Sequence, residues 1–174
     1  MILLMVIGGL RTIEISRANI EDIQTLRNNT VLYYIQGKGK EEKTDFIKLP
    51  YELESLLKKY LMLKGPLKKD SPIFSSTSSN NKGARLTTRS ISGIVKTRLK
   101  NAGYDDERLT AHSLRHTAVT LALLQGKDIT EVQQFARHNN INTTMIYNHS
   151  LEKAKNGCSD AIAKLFLIVC KMNA

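Results

Sequence analysis

The sequence predicts an α+β domain, mainly α-helical, with a small three-stranded antiparallel sheet near the N-terminus. Three observations lead there. Two short runs rich in β-branched and aromatic residues flank a glycine-opened turn in the first third of the chain. Beyond Gly83, apolar residues recur at helical spacing almost to the end. The length, 174 residues without a long low-complexity stretch, fits one domain that buries its own core without disulfides or metals.

Taken in order, Met1 to about Ala18 reads as helix, broken or re-angled at Gly8-Gly9, with Ile13, Glu14 and Arg17 resuming helical spacing. The opening apolar run to Ile7 is too short for a membrane span and lacks a basic leader and a cleavage site. It begins without a capping residue, so a preceding domain is expected that is not part of this chain. Thr30 to Gln36 and Asp45 to Leu49 read as strands around the polar turn Gly37 to Lys43, with Asn19 to Gln24 as a third. Pro50 opens a helix whose apolar face is Leu53, Leu56, Leu57, Tyr60 and Leu61. Ser75 to Gly83 is a surface loop by composition. Helices are then expected from about Thr87 to Asn101, His112 to Leu124, Thr130 to Arg137, Thr143 to Tyr147 and Leu151 to Lys171. The last carries an apolar run from Ala161 to Val169, read either as core packing or as a face docking on a neighbouring subunit.

Charge narrows the function. Twenty-six Lys and Arg against sixteen Asp and Glu give +10, which points to a polyanionic partner, nucleic acid first. Cys158 and Cys170 make neither a zinc pattern nor a disulfide framework and read as reduced core residues of a cytosolic protein.

The chemistry concentrates in Ala111-His-Ser-Leu-Arg-His-Thr117. On a helix, His112, Arg115 and His116 share one face. A zinc site of the metalloprotease kind needs Glu directly after the first histidine, where Ser113 stands, and Arg115 would repel a cation. A phosphate fits better, since arginine offers a planar donor fork and histidine can donate or exchange a proton. Downstream come His138 and Tyr147; a phenol becomes a useful nucleophile only where positive charge stabilises its anion. The other five tyrosines read as strand or core residues.

The ordered set His112-x-x-Arg115, His138 and Tyr147, with Gly9-Leu-Arg11-Thr-Ile-Glu14 upstream and Lys38 in the hairpin turn, resembles the signature of the tyrosine recombinases, the phage-integrase and Xer-type enzymes. The resemblance spans nearly the whole chain and implies their helical catalytic-domain fold. It departs from the pattern at Ala136-Arg137, where the family usually has Leu-Gly, and the family's N-terminal core-binding domain is expected to lie outside this chain.

By this resemblance Tyr147 attacks the scissile phosphate to give a 3′-phosphotyrosyl bond and a 5′-hydroxyl. Arg11 and Arg115 clamp the non-bridging oxygens, His138 adds a donor, and His112 accepts a proton or orients the nucleophile. Lys38 protonates the leaving oxygen, with Lys40 and Lys43 as rivals, and Glu14 supports the site. His116 and His149 are left to packing or capping. No cofactor, metal or nucleotide is implied. The implied partner is double-stranded DNA, bound by a homotetramer whose isolated domain is monomeric, in the bacterial cytoplasm, where the chain serves integration or recombination of a mobile element. The basic stretch Arg85 to Lys100 is the segment expected along DNA. Type IB topoisomerase activity and a non-catalytic DNA-binding module are the competing readings.

Overall fold

The computed structural model describes residues 1–37, 39 and 41–163. Lys38, Lys40, Cys170 and most of the apolar C-terminal run lie outside the described residues.

The chain enters through two short helices, α1 (Ile2–Ile7) and α2 (Thr12–Ser16), separated by Gly8 and Gly9 as the sequence predicts. Packing explains both glycines. A Cβ on Gly8 would lie 2.6 Å from Cδ1 of Ile47 and 2.7 Å from the Leu4 carbonyl oxygen. Gly9 has a φ of +58°, and a Cβ there would press on the Phe135 ring at 3.0 Å.

The expected first strand is shorter than its sequence signal. The Asp22 carboxylate accepts from the Asn19 backbone N–H at 2.7 Å and folds Ile20–Asp22 into a 3-10 turn, leaving Ile23–Thr25 as β1. Strands β2 (Val31–Ile35) and β3 (Asp45–Lys48) complete an antiparallel sheet of order β1-β2-β3. Tyr33 pairs with Ile23 on one side and Ile47 on the other, and Val31, Tyr33, Ile35 and Ile47 all enter the core.

Helix α3 (Tyr51–Lys64) follows Pro50. It buries Leu53 and Leu57 and packs Tyr60 and Leu61 at the core margin, but Leu56 is half exposed. At 100° per residue Leu56 falls on the flank of that stripe, so its expected place in the core is corrected. The loop after α3 contains one 3-10 turn, Ser79–Asn81, and is closed by a bridge between Ser75 and Arg85.

Beyond that loop come α4 (Thr88–Asn101), α5 (Ala111–Leu124), α6 (Ile129–Ala136) and α7 (Ile141–Lys155). Their starts are capped as polar residues dictate. Thr87 Oγ1, Asp128 Oδ1 and Asn140 Oδ1 accept backbone N–H groups of the first turns of α4, α6 and α7. The expected break after Tyr147 is absent. Asn148 donates to Glu152 at 2.7 Å, an i,i+4 pair that supports the helix, and the Ser150 hydroxyl is accommodated on the Ile146 carbonyl at 2.9 Å. The break falls at Asn156-Gly157, and residues 158–163 are helical again. Cys158 is exposed rather than buried, and so are Tyr51 and Tyr104.

Helix α5 is the hub: it packs on α1, α4, α6 and α7. The main core gathers Leu4, Met5, Ile15, Tyr33, Ile91 and Val95. A smaller cluster of Val119, Val132 and Ala136 lies between α5 and α6, and Tyr147 of α7 packs against it. Among the described residues no helix is long and apolar enough to cross a membrane.

Candidate active site

The site forms where the α1–α2 turn, α5 and the α6–α7 turn meet. Arg115 projects from α5 into this junction and is 1% exposed. Burying an arginine requires partners, and two backbone carbonyls provide them: Gly9 in the first turn and Ala136 at the end of α6. Five N–H donors leave it capacity for an anion as well. Burial first, and then the charges of Arg11 and Arg137, lower its pKa to about 10, still well above neutrality.

Arg11 precedes α2. Its backbone N–H and its guanidinium both donate to Glu14, at 2.7 and 2.8 Å, and a second guanidinium nitrogen donates to the Arg137 carbonyl at 3.1 Å. Glu14 is buried, and burial alone would raise its pKa. The charge of Arg137, the Arg11 N–H and the charge of Arg11 outweigh that and hold it below the ordinary carboxylate value.

Arg137 resolves the departure at Ala136-Arg137. Its backbone is left-handed, with φ 53° and ψ 47°, the conformation in which glycine commonly ends a helix. The turn bonds the His138 N–H to the Gln133 carbonyl at 3.1 Å. The arginine side chain, 7% exposed, folds inward and donates to Glu14 at 3.0 Å and to the Gly9 carbonyl at 2.9 Å. Backbone geometry beside His138 is therefore kept, and a third guanidinium is added to the junction. Arg11 and Arg137 pair with Glu14 while Arg115 is held by carbonyls, so three guanidiniums against one carboxylate leave an excess of positive charge, which suits a bound anion.

His138 is oriented by the buried Thr144, whose Oγ1 lies 2.9 Å from its Nδ1, so Nε2 is the nitrogen left for another partner. Burial, followed by the charges of Arg115, Arg11 and Arg137, pushes its pKa down to about 4, so the ring is neutral at pH 7. Tyr147 lies across from it, ring centroids 6.4 Å apart and nearly parallel. Arg11, His112, Arg115, His116, His138 and Tyr147 line one cleft of about 550 Å³.

Sequence reasoning placed five of these six residues together and missed His116. Rather than packing, His116 sits at the exposed rim with its Nδ1 hydrogen-bonded to the Tyr147 hydroxyl. Its signal was visible, since it lies one turn after His112, but a second histidine on the face has no assigned place in the motif. His149 is exposed and approaches Glu152 at 3.7 Å, away from the cleft. Of the hairpin lysines, Lys43 is tied to Asp22 at 2.7 Å. An adjoining cleft is lined by Gly37, Arg11, Arg137 and His138, so the base of the hairpin borders the site.

The basic stretch on and before α4 is partly consumed inside the fold. Arg85 donates to the Ser16 carbonyl and to Asn19 Oδ1, and Lys96 to the Asp106 and Leu109 carbonyls. Lys100 pairs with Asp105 at 2.9 Å, while Arg89 and Arg98 are exposed.

Tyrosine recombinase slr0733 of Synechocystis is 32% identical over 159 residues, 91% of this chain and 49% of the relative. Tyrosine recombinase XerH of Helicobacter pylori is 33% identical over 151 residues, 86% of this chain and 40% of the relative. The chain thus spans about half the length of the curated relatives it matches. Among solved structures, the XerH site-specific recombinase bound to difH substrate in a pre-cleavage complex superposes with a TM-score of 0.70 at 32% identity, covering 89% of this chain and 43% of that one. A post-cleavage complex of the same recombinase on a palindromic difH substrate gives a TM-score of 0.73 at 31% identity, covering 91% and 44%. The profile of the phage integrase family matches residues 1–154, and by that match and these identities the chain belongs to the phage integrase family, the tyrosine recombinases.

Proposed function

We propose that this chain is the catalytic domain of a site-specific DNA recombinase that cleaves and rejoins strands through a 3′-phosphotyrosyl link at Tyr147. The observation that carries the reading is the convergence, in one cleft, of a phenol with two guanidiniums and an imidazole aimed at the same space. Such a group of donors fits a phosphate whose charge grows in the transition state.

The roles follow from that arrangement. Tyr147 oxygen attacks phosphorus and displaces the 5′-oxygen. Arg11 and Arg115 hold the non-bridging oxygens, and neutral His138 donates through Nε2. Glu14 fixes Arg11 rather than entering the chemistry, and His112 flanks the nucleophile as an orienting group. Lys38 protonates the leaving 5′-oxygen; the support is that Gly37, its neighbour in the chain, lines the cleft beside Arg11 and His138. Lys43 is committed to Asp22, which leaves Lys40 as the rival. The phosphotyrosine keeps the bond energy of the phosphodiester, so the rejoining step needs no nucleotide. Double-stranded DNA is the substrate, a homotetramer assembled on DNA is the working form, and the compartment is the one that holds that DNA.

The test is a pool of nicked duplexes that lose the leaving strand on cleavage. A denaturant-resistant protein–DNA adduct is expected, mapped by mass spectrometry to Tyr147 and absent from Tyr147→Phe. An adduct that persists in Tyr147→Phe would sink the assignment.

A further inference from the structure

Tyr147 must lose its phenolic proton as its oxygen bonds to phosphorus, and an ordinary phenol holds that proton until about pH 10. The surroundings tighten it further: partial burial raises the Tyr147 pKa, against a smaller lowering by Arg115. An acceptor within hydrogen-bond reach is therefore needed.

Three histidines surround the phenol, and their geometry separates them. His138 stacks beside the ring, but its Nδ1 is engaged by Thr144. His112 lies one turn earlier on α5 and meets His116 edge-on, ring centroids 4.4 Å apart, without touching the hydroxyl among the described contacts. His116 makes the contact, through Nδ1, with its ring centroid 5.2 Å from that of Tyr147 and the planes tilted by 36°. The titratable groups sharing the cleft with His116 are His112 and Arg115 from its own helix, Arg11 from the α1–α2 turn, and His138 and Tyr147 from the α6–α7 side. No carboxylate lines this cleft among the described residues. Partial burial and then the Arg115 charge lower the His116 pKa from the ordinary imidazole value. Its ring is therefore neutral at pH 7 and has a lone pair to offer.

We propose that His116 is the proton acceptor for Tyr147, taking the phenolic proton on Nδ1 as the phosphotyrosyl bond forms. The Tyr147 O–H bond breaks, its electron pair forms the O–P bond, and His116 becomes an imidazolium. The P–O5′ bond breaks and the leaving oxygen takes its proton from the separate general acid. On rejoining, the 5′-hydroxyl gives its proton back to that general acid as its oxygen bonds to phosphorus, and the departing Tyr147 oxygen takes its proton from the His116 imidazolium. This inference rests on the strand-cleavage reading above.

The experiment has two arms on the full chain. Nitrogen-15 NMR of labelled histidines reads the tautomer: an unprotonated Nδ1 and a protonated Nε2 are expected for His116 at pH 7. A protonated Nδ1 would overturn the proposal, because it makes the imidazole a donor to the phenol. In the second arm, adduct formation on nicked duplex is timed for the parent, His116→Ala and His116→Gln. Both variants are expected to slow by about 10²- to 10⁴-fold with DNA binding unchanged. Added imidazole should restore part of the His116→Ala rate, and that rate should rise with pH where the parent's is flat. His116→Gln at the parental rate, or a loss that neither imidazole nor pH relieves, overturns the assignment while leaving strand cleavage intact. A parent that forms no adduct on any duplex overturns the cleavage reading and this inference with it.

Discussion

Three guanidiniums and one carboxylate decide the site at the residue scale. Arg11, Arg115 and Arg137 repel one another, and the fold tolerates them because Glu14 and the carbonyls of Gly9, Ala136 and Arg137 satisfy their donors. Burial first, and then their summed field, keep His138 neutral, with a measurable consequence. The folded pKa of about 4 lies below the ordinary 6.5 of an unfolded histidine, so the unfolded chain binds the proton first as pH falls. The stability tied to His138 is complete above about pH 6.5 and declines as pH drops towards 4. Urea unfolding at pH 7 and pH 4.5 is expected to show a smaller pH difference for His138→Gln than for the parent, with exposed His149→Gln as control. Equal differences in all three proteins would refute the depressed His138 pKa.

Element scale explains how parts far apart in the chain become one site. The α1–α2 turn serves as a connector: the Gly9 carbonyl accepts from both Arg115 and Arg137, and Arg11 follows two residues later. That carbonyl is aimed by a positive φ that only glycine adopts freely. Gly9→Ala forces the left-handed conformation on an L-residue, costing about 1–2 kcal/mol, and adds the contact with Phe135. The expected outcome is a lower unfolding midpoint together with slower adduct formation, since both arginine anchors shift. A stable variant with unchanged rate would show that the turn does not position the site. The left-handed Arg137 turn does the matching work at the other end, fixing His138 between α6 and α7.

For the whole molecule, charge is the governing quantity, but the net +10 overstates what is free to meet DNA. Arg85, Lys96, Lys43 and Arg137 are bound within the fold, whereas Arg89 and Arg98 stand exposed. Binding through phosphates releases counterions, so affinity for duplex DNA should fall steeply with salt. Six or more contacts predict a loss of about a thousandfold or more between roughly 50 and 200 mM salt. Fluorescence anisotropy across that range checks it, and a flat salt dependence would exclude phosphate-dominated binding.

Much of this was legible in the sequence because it depends on local chemistry. Strand composition around a glycine turn, helical periodicity and the ordered Arg11, His112, Arg115, His138 and Tyr147 are all properties of short segments. The sequence therefore determined the α+β class, most of the helices and five of the six titratable residues lining the cleft. What it misjudged depended on neighbours that periodicity does not see. The Asn148–Glu152 pair supports α7 where the sequence suggested a turn, and the Asp22 cap shortened β1. Only tertiary packing decided that Arg137 takes the place of a glycine by pairing with Glu14, 123 residues away in the chain. Only tertiary packing set His116 against the Tyr147 hydroxyl, a contact between helices 31 residues apart. Both are long-range contacts, fixed by how α5 and the α6–α7 turn close on the first turn of the chain.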